Sequence, residues 1–195
     1  MAGRKRTRAA NRAPPPATGV ARSTAKRNEI LEQLADQVLA NGLGTASLRP
    51  LAASIGTSDR MLLYYFPDKA TLISSILQCV AQRLAALLDE EVPADRALTP
   101  DEMSRTLWAS LRKPALRPYM RLWLELAGYA ARAEEPHRTI GAAIAQGFLD
   151  WIAARLADCA HDAAVTASSV LIQIEGRLLL DAFGITVEPA RRASR

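Results

Sequence analysis

From Ser47 to Lys69 the chain reads Ser-Leu-Arg-Pro-Leu-Ala-Ala-Ser-Ile-Gly-Thr-Ser-Asp-Arg-Met-Leu-Leu-Tyr-Tyr-Phe-Pro-Asp-Lys. Two short helical patterns meet there across a single glycine. Leu48, Leu51, Ala52 and Ile55 recur at helical spacing. Ser47 is the expected cap, its hydroxyl accepting from a first-turn amide. Pro50 falls in that first turn, where its missing N–H costs little. Gly56 supplies the left-handed residue that ends such a helix without steric cost. Ser58 then caps a second pattern, Asp59 to Phe66, polar at its start and aromatic at its end. This is the layout of a helix-turn-helix, whose second helix enters the DNA major groove by its N-terminal end.

Within the motif, Leu48, Leu51, Ile55, Leu62 and Phe66 are expected in the core. That leaves Arg49, Thr57, Ser58, Asp59, Arg60, Tyr64 and Tyr65, with Ser47 at the entry, to face DNA. Each has an ordinary solvated surface position as its alternative. Arg60 is the strongest reader of a base edge, because its planar fork matches O6 and N7 of guanine. Arg49 either does the same or meets a phosphate. Asp68 has the character of an N-cap, which puts Lys69 at the first position of a long helix reaching about Leu88. A helix N-terminus carries free amides and partial positive charge, so Lys69 and its neighbours are expected to hold a phosphate. Ile73, Ile76, Leu77, Val80, Leu84, Leu87 and Leu88 run along one face of that helix, making it a mechanical link between DNA and whatever follows.

Gly56-Thr57-Ser58, Leu62, Tyr64-Tyr65-Phe66-Pro67, Lys69 and Leu72 together resemble the signature of the tetracycline-repressor (TetR) family of transcriptional regulators, over roughly residues 24 to 84. Leu63 stands where that family usually has a tyrosine, and Tyr65 where it often has histidine. The resemblance implies a homodimer that sets two recognition helices in successive major grooves of a palindromic double-stranded operator. It further implies a repressor released by a small-molecule effector, a phosphate contact from Lys69, and a four-helix dimer interface built from the last two long helices. The same fold without an effector is the alternative.

Charge divides the chain unevenly. Arg4, Lys5, Arg6, Arg8, Arg12, Arg22, Lys26 and Arg27 lie in the first 27 residues with no acid among them, leaving 17 bases against 20 acids in a body of about −3. The basic pI of 9.6 therefore belongs to the tail and does not by itself argue for nucleic acid. Residues 1–23, with Pro14-Pro15-Pro16, have almost no apolar surface to bury and are expected to be a disordered basic tail. It reads either as an arm that follows phosphates or enters the minor groove, or as a solvated tail of non-specific affinity.

The expected organisation is all-α: the tail, a DNA-binding domain over 24–84 with its helix-turn-helix at 47–66, and an effector-binding and dimerisation domain over 85–195. Thr24 to Asn41 carries Ile30, Leu31, Leu34, Val38 and Leu39 on one side and ends at Gly42. Thr99-Pro100-Asp101-Glu102 has the features of a capping box. Further helices run from Pro136 to about Cys159 and from about Asp162 to Phe183, before Gly184. At 100° per residue, Ser169, Gln173, Arg177 and Asp181 make a polar stripe on the last of these, and Glu175 falls on its apolar side. A carboxylate there needs a partner, either a salt bridge across a helix interface or a polar contact in a ligand pocket. Trp108, Tyr119, Trp123, Phe148 and Glu175 are the expected ligand-binding residues. An apolar, aromatic domain with scattered arginines suits a lipophilic molecule, with an anion among the candidates. Ala143, Gly147 and Ala154 would let helices approach closely.

An enzyme is the weak rival. His137 and His161 are the two histidines, and the sequence has no G-x-S-x-G, no phosphate-binding glycine loop and no metal-ligand cluster. No catalytic residue, metal or cofactor is expected. Cys79 and Cys159 are the two cysteines, without CxxC spacing, which suits a reducing cytoplasm. No segment approaches 18 consecutive apolar residues and the basic N-terminus lacks an apolar h-region, so neither membrane insertion nor secretion is expected.

Overall fold

The computed structural model describes residues 19–44, 46–157, 162–185 and 187. Among them are eight α-helices: α1 (Gly19–Asn41), α2 (Leu48–Ser54), α3 (Asp59–Tyr65), α4 (Lys69–Glu91), α5 (Pro100–Leu111), α6 (Arg117–Ala131), α7 (His137–Ala153) and α8 (Ala163–Ala182), with a 3-10 turn at Pro114–Leu116. No strand occurs among the described residues, where Leu98 and Leu156 form one isolated bridge.

The helix ends follow local chemistry. Ser58 accepts from the amide of Met61 at 3.2 Å, and Asp68 from that of Thr71 at 2.7 Å. The capping box at Thr99 is complete, with Thr99 Oγ1 accepting from the Glu102 amide and Glu102 Oε2 accepting from the Thr99 amide. Ser47 holds the N-cap position of α2 with extended backbone, yet its hydroxyl makes no capping bond, contrary to expectation. Three boundaries also differ. α1 begins at Gly19, so Gly19–Arg22 and Ser23 belong to a helix and not to a tail; residues 1–18 lie outside the described residues. α4 runs past Leu88 to Glu91. α7 stops at Ala153, short of Cys159, because the chain turns there to bring Leu156 beside Leu98; Cys159 and His161 lie outside the described residues.

Two hydrophobic cores form. The first joins α1 to α4 with Leu122, Leu126 and Ile140, and the second joins the end of α4 to α5, α6, α7 and α8. α4 belongs to both, packing on α1, α5 and α7. Arg83 ties it to α1 through ion pairs with Glu32 and Asp36. Cys79 is buried beside this group, 3.5 Å from Glu32 Oε1, and burial raises its thiol pKa. α4 and α8 are each long and apolar enough to cross a membrane by length and composition; α4 spends that apolar surface on the two cores.

Phe66 closes the first core at 0% exposure, with the Arg27 guanidinium 4.6 Å from its ring centroid and Arg27 also bonded to Ser75 of α4. Phe66→Ala should destabilise the protein by about 3–5 kcal/mol, measured by urea unfolding followed by circular dichroism.

Candidate functional site

α2 and α3 stand on the first core by few anchors. Leu51, Ala52, Leu62 and Phe66 are buried, with Leu48, Ile55 and Tyr65 packed against them. Between the helices, Gly56 turns at φ +67 with open space where a Cβ would sit, so glycine is needed there for conformation and not for room. With the buried side chains fixed, Ser47, Arg49, Ser58, Asp59, Arg60, Tyr64 and Lys69 are exposed, and Thr57 and Tyr65 are half-buried. Tyr64 is 72% exposed and meets Tyr65 edge to face, centroids 5.0 Å apart. All nine residues expected to face DNA thus lie on or beside one helix-turn-helix.

Sequence reasoning passed over Met61 and took Leu63 only as a departure from the family pattern; α3 exposes both. Their signal was negative: the core positions 62 and 66 are four apart, so on a short helix 61 and 63 must point elsewhere. Apolar groups there suit the thymine methyl. The Asp68 carboxylate takes the Thr71 amide, and that bond holds its pKa below the ordinary value of 3.8. Lys69 follows this cap and is exposed at the start of α4.

A second site lies between α4, α5, α6, α7 and α8. It is an apolar cavity of about 80 Å³. Tyr119, Trp123, Phe148 and Glu175 line it, and Trp108 does not. Trp108 packs in the second core and faces a different cleft with Arg105, Arg112, Lys113 and Arg177. Trp151 takes its place on the cavity wall, braced by a bond from its Nε1 to Asp89 Oδ1 at 2.7 Å. The cleft beside Trp108 holds four of the basic residues that made an anion plausible in the sequence, and among the described residues no Lys or Arg lines the apolar cavity.

Glu175 is half-buried on α8. Among the described residues it forms no salt bridge, and its Oε2 accepts one hydrogen bond, from Trp123 Nε1 of α6, at 2.8 Å. Burial raises its pKa above the ordinary 4.5, while the indole bond pulls the other way. The folded protein then holds this proton more tightly than the unfolded chain, so the carboxyl destabilises the fold increasingly as pH rises from the unfolded value through the folded one. Glu175→Gln keeps a carbonyl for Trp123 and removes the charge. It should leave stability nearly unchanged below about pH 4.5 and raise it by on the order of 1 kcal/mol near neutrality, as read from thermal melts across pH.

The two sites are joined by α6. On the side away from the cavity, Arg121 donates to the carbonyls of Leu39 and Ala40 at 2.8 and 3.0 Å, at the end of α1. One turn later, Glu125 accepts from the amides of Leu43 and Gly44, both at 2.8 Å, in the loop that leads into α2. No sequence pattern announced this grip.

Solved structures with the same architecture are regulators of transcription by description. A protein of Rhodococcus sp. classed as a TetR-family transcriptional regulator is 21% identical, with 84% of this chain and 90% of that one covered and a TM-score of 0.68. A transcriptional regulator from Pseudomonas aeruginosa PAO1 is 16% identical over 82% and 80%, with a TM-score of 0.62. One from Saccharomonospora viridis, solved in complex with choline, is 21% identical over 83% and 87%, with a TM-score of 0.61. No family model and no curated protein matches the sequence. At these identities the likeness establishes the fold, and the chain has the all-α fold of the TetR-family regulators.

Proposed function

We propose that this chain is a DNA-binding transcriptional regulator, a homodimer that represses from a palindromic operator and is released by a small molecule in the apolar cavity. The observation that carries the reading is α3: a seven-residue helix capped by Ser58, pinned by Leu62, and presenting Arg60, Met61, Leu63 and Tyr64 outward. A helix so short, exposing so many large side chains, has a use for them outside the chain. The all-α fold shared with described regulators supports the same reading.

Dimerisation is supported by α8. Val165, Ile172 and Leu179 recur every seven residues on its outer side, Ile172 at 71% exposure, and Phe183 follows, also at 71%. Ala143 and Gly147 of α7 are exposed beside it, small enough for a second pair of helices to pack closely. The polar stripe of α8 points partly to α5 instead, where Ser104 donates to Gln173 at 3.0 Å. Release is mechanical. A cavity of about 80 Å³ must widen to admit most ligands, and moving α6 moves the grip on the end of α1. Half-sites one helical turn apart, about 34–36 Å, tolerate little change in the spacing of two recognition helices. Linkage then requires operator DNA to weaken the ligand by the factor with which the ligand weakens DNA. The choline in the S. viridis structure favours an effector over a regulator that has none.

Selection of bound sequences from random DNA tests the reading; recovery of no palindrome would sink it. On the selected site, Arg60→Ala should weaken binding by about 1–3 kcal/mol and relax preference at one position per half-site, measured by fluorescence anisotropy against scrambled DNA. Ile172→Asp should convert the dimer to a monomer in sedimentation equilibrium and reduce operator affinity, with the far-ultraviolet circular dichroism of each chain unchanged.

A further inference from the structure

Glu175 lies in the cavity with no group of opposite charge among the described residues that line it. Five helices supply the walls, and the other titratable group facing the carboxylate is Tyr119 of α6, which burial keeps neutral well above physiological pH. α4, α5 and α7 contribute no charged side chain to the lining. An anion here would meet a like charge without a counterion, the least favourable of the pairings. A neutral apolar ligand would bury the carboxylate further with one indole bond to satisfy it, at the cost of desolvating an under-paired charge. A cation reverses both terms.

The walls favour a particular kind of cation. Tyr119, Trp123 and Phe148 share the space with Glu175, and aromatic faces attract positive charge, most strongly where water is excluded. Trp151 already has the Arg155 guanidinium 4.1 Å from its ring centroid, so the other three rings carry the argument. The carboxylate also has a partner to hold it in place, Trp123 Nε1, which orients it without neutralising it. The geometry points to an organic cation as the class of ligand, a positive head held by Glu175 and the rings of Tyr119, Trp123 and Phe148, with an apolar body against the leucines of α4 and α8. This rests on the reading of the cavity as the effector site, and it replaces the anion that the arginine content had left open.

Phenyltrimethylammonium and its uncharged carbon isostere, tert-butylbenzene, separate charge from shape. Each is titrated into the full chain, wild type and Glu175→Gln, with tryptophan fluorescence and thermal melts as readouts. The wild type is expected to bind the cation more tightly than the isostere. Glu175→Gln should weaken the cation by at least about tenfold and change the isostere less than about twofold. Cation affinity in the wild type should also rise with pH as Glu175 ionises, since binding the cation draws off its proton; the Gln variant should lose that slope. Because the variant is expected to be the more stable protein, loss of binding with an undiminished melting temperature is not a folding defect. If the isostere binds as well as the cation and Glu175→Gln affects both alike, the cation assignment is overturned and the cavity remains a ligand site. If neither probe binds, the cavity reading falls as well, and the cation with it.

Discussion

The grip of α6 on the end of α1 is the interaction on which the arrangement turns. An α-helix ends with carbonyls that lack amide partners, and Arg121 satisfies two of them at Leu39 and Ala40. The chain must then reverse toward α2, and it does so through Gly42 at φ +80. A Cβ on that residue would stand 2.6 Å from Glu125 Oε2. Glycine is therefore required twice, for the left-handed backbone and for the approach of the carboxylate. Through this contact the loop that launches the helix-turn-helix takes its position from a helix 80 residues downstream in the chain, whose opposite side lines the cavity.

α4 provides the other connection, of a different kind. Its ion pairs to α1 are partly exposed and worth little individually; what fixes it is burial in both cores, from Leu72 to Leu88. A close-packed helix transmits displacement because the interior around it has no slack to absorb the motion. Two links thus run between cavity and surface, one by packing along α4 and one by directed hydrogen bonds from α6. They converge on the same three-helix head.

Much of this was legible in the residues. Caps are local chemistry, so Ser58, Asp68 and the Thr99–Glu102 box could be read directly, as could the inward face of α3 from Leu62 and Phe66. Ser47 shows the limit: residue type and backbone suit a cap, while the hydroxyl makes no capping bond. Long-range placement was not legible. Trp108 and Trp151 both read as aromatic residues on amphipathic helices, and only the crossing of α5, α7 and α8 decides that one lines the cavity and the other does not. Glu175 was conspicuous by its position among apolar neighbours, but its partner, an indole 52 residues away, depends on how α6 meets α8. The Arg121–Glu125 pair looked like ordinary helix-surface charge, because the carbonyls and amides it serves are backbone atoms that no residue code reveals.

If the cavity holds an effector as proposed, its small size sets the terms of response. At about 80 Å³ it is small beside the several hundred Å³ of a typical ligand site, so a larger occupant would need a wider arrangement of these helices. Apparent affinity is then the intrinsic affinity scaled by the fraction of molecules in that wider arrangement. Sensitivity and selectivity become separate properties of the molecule. On that reading, substitutions along the leucines that close α4 against α7 and α8 would shift the dose of response while leaving unchanged which compounds are preferred, so one scaffold could be tuned to trace or to abundant amounts of the same chemistry.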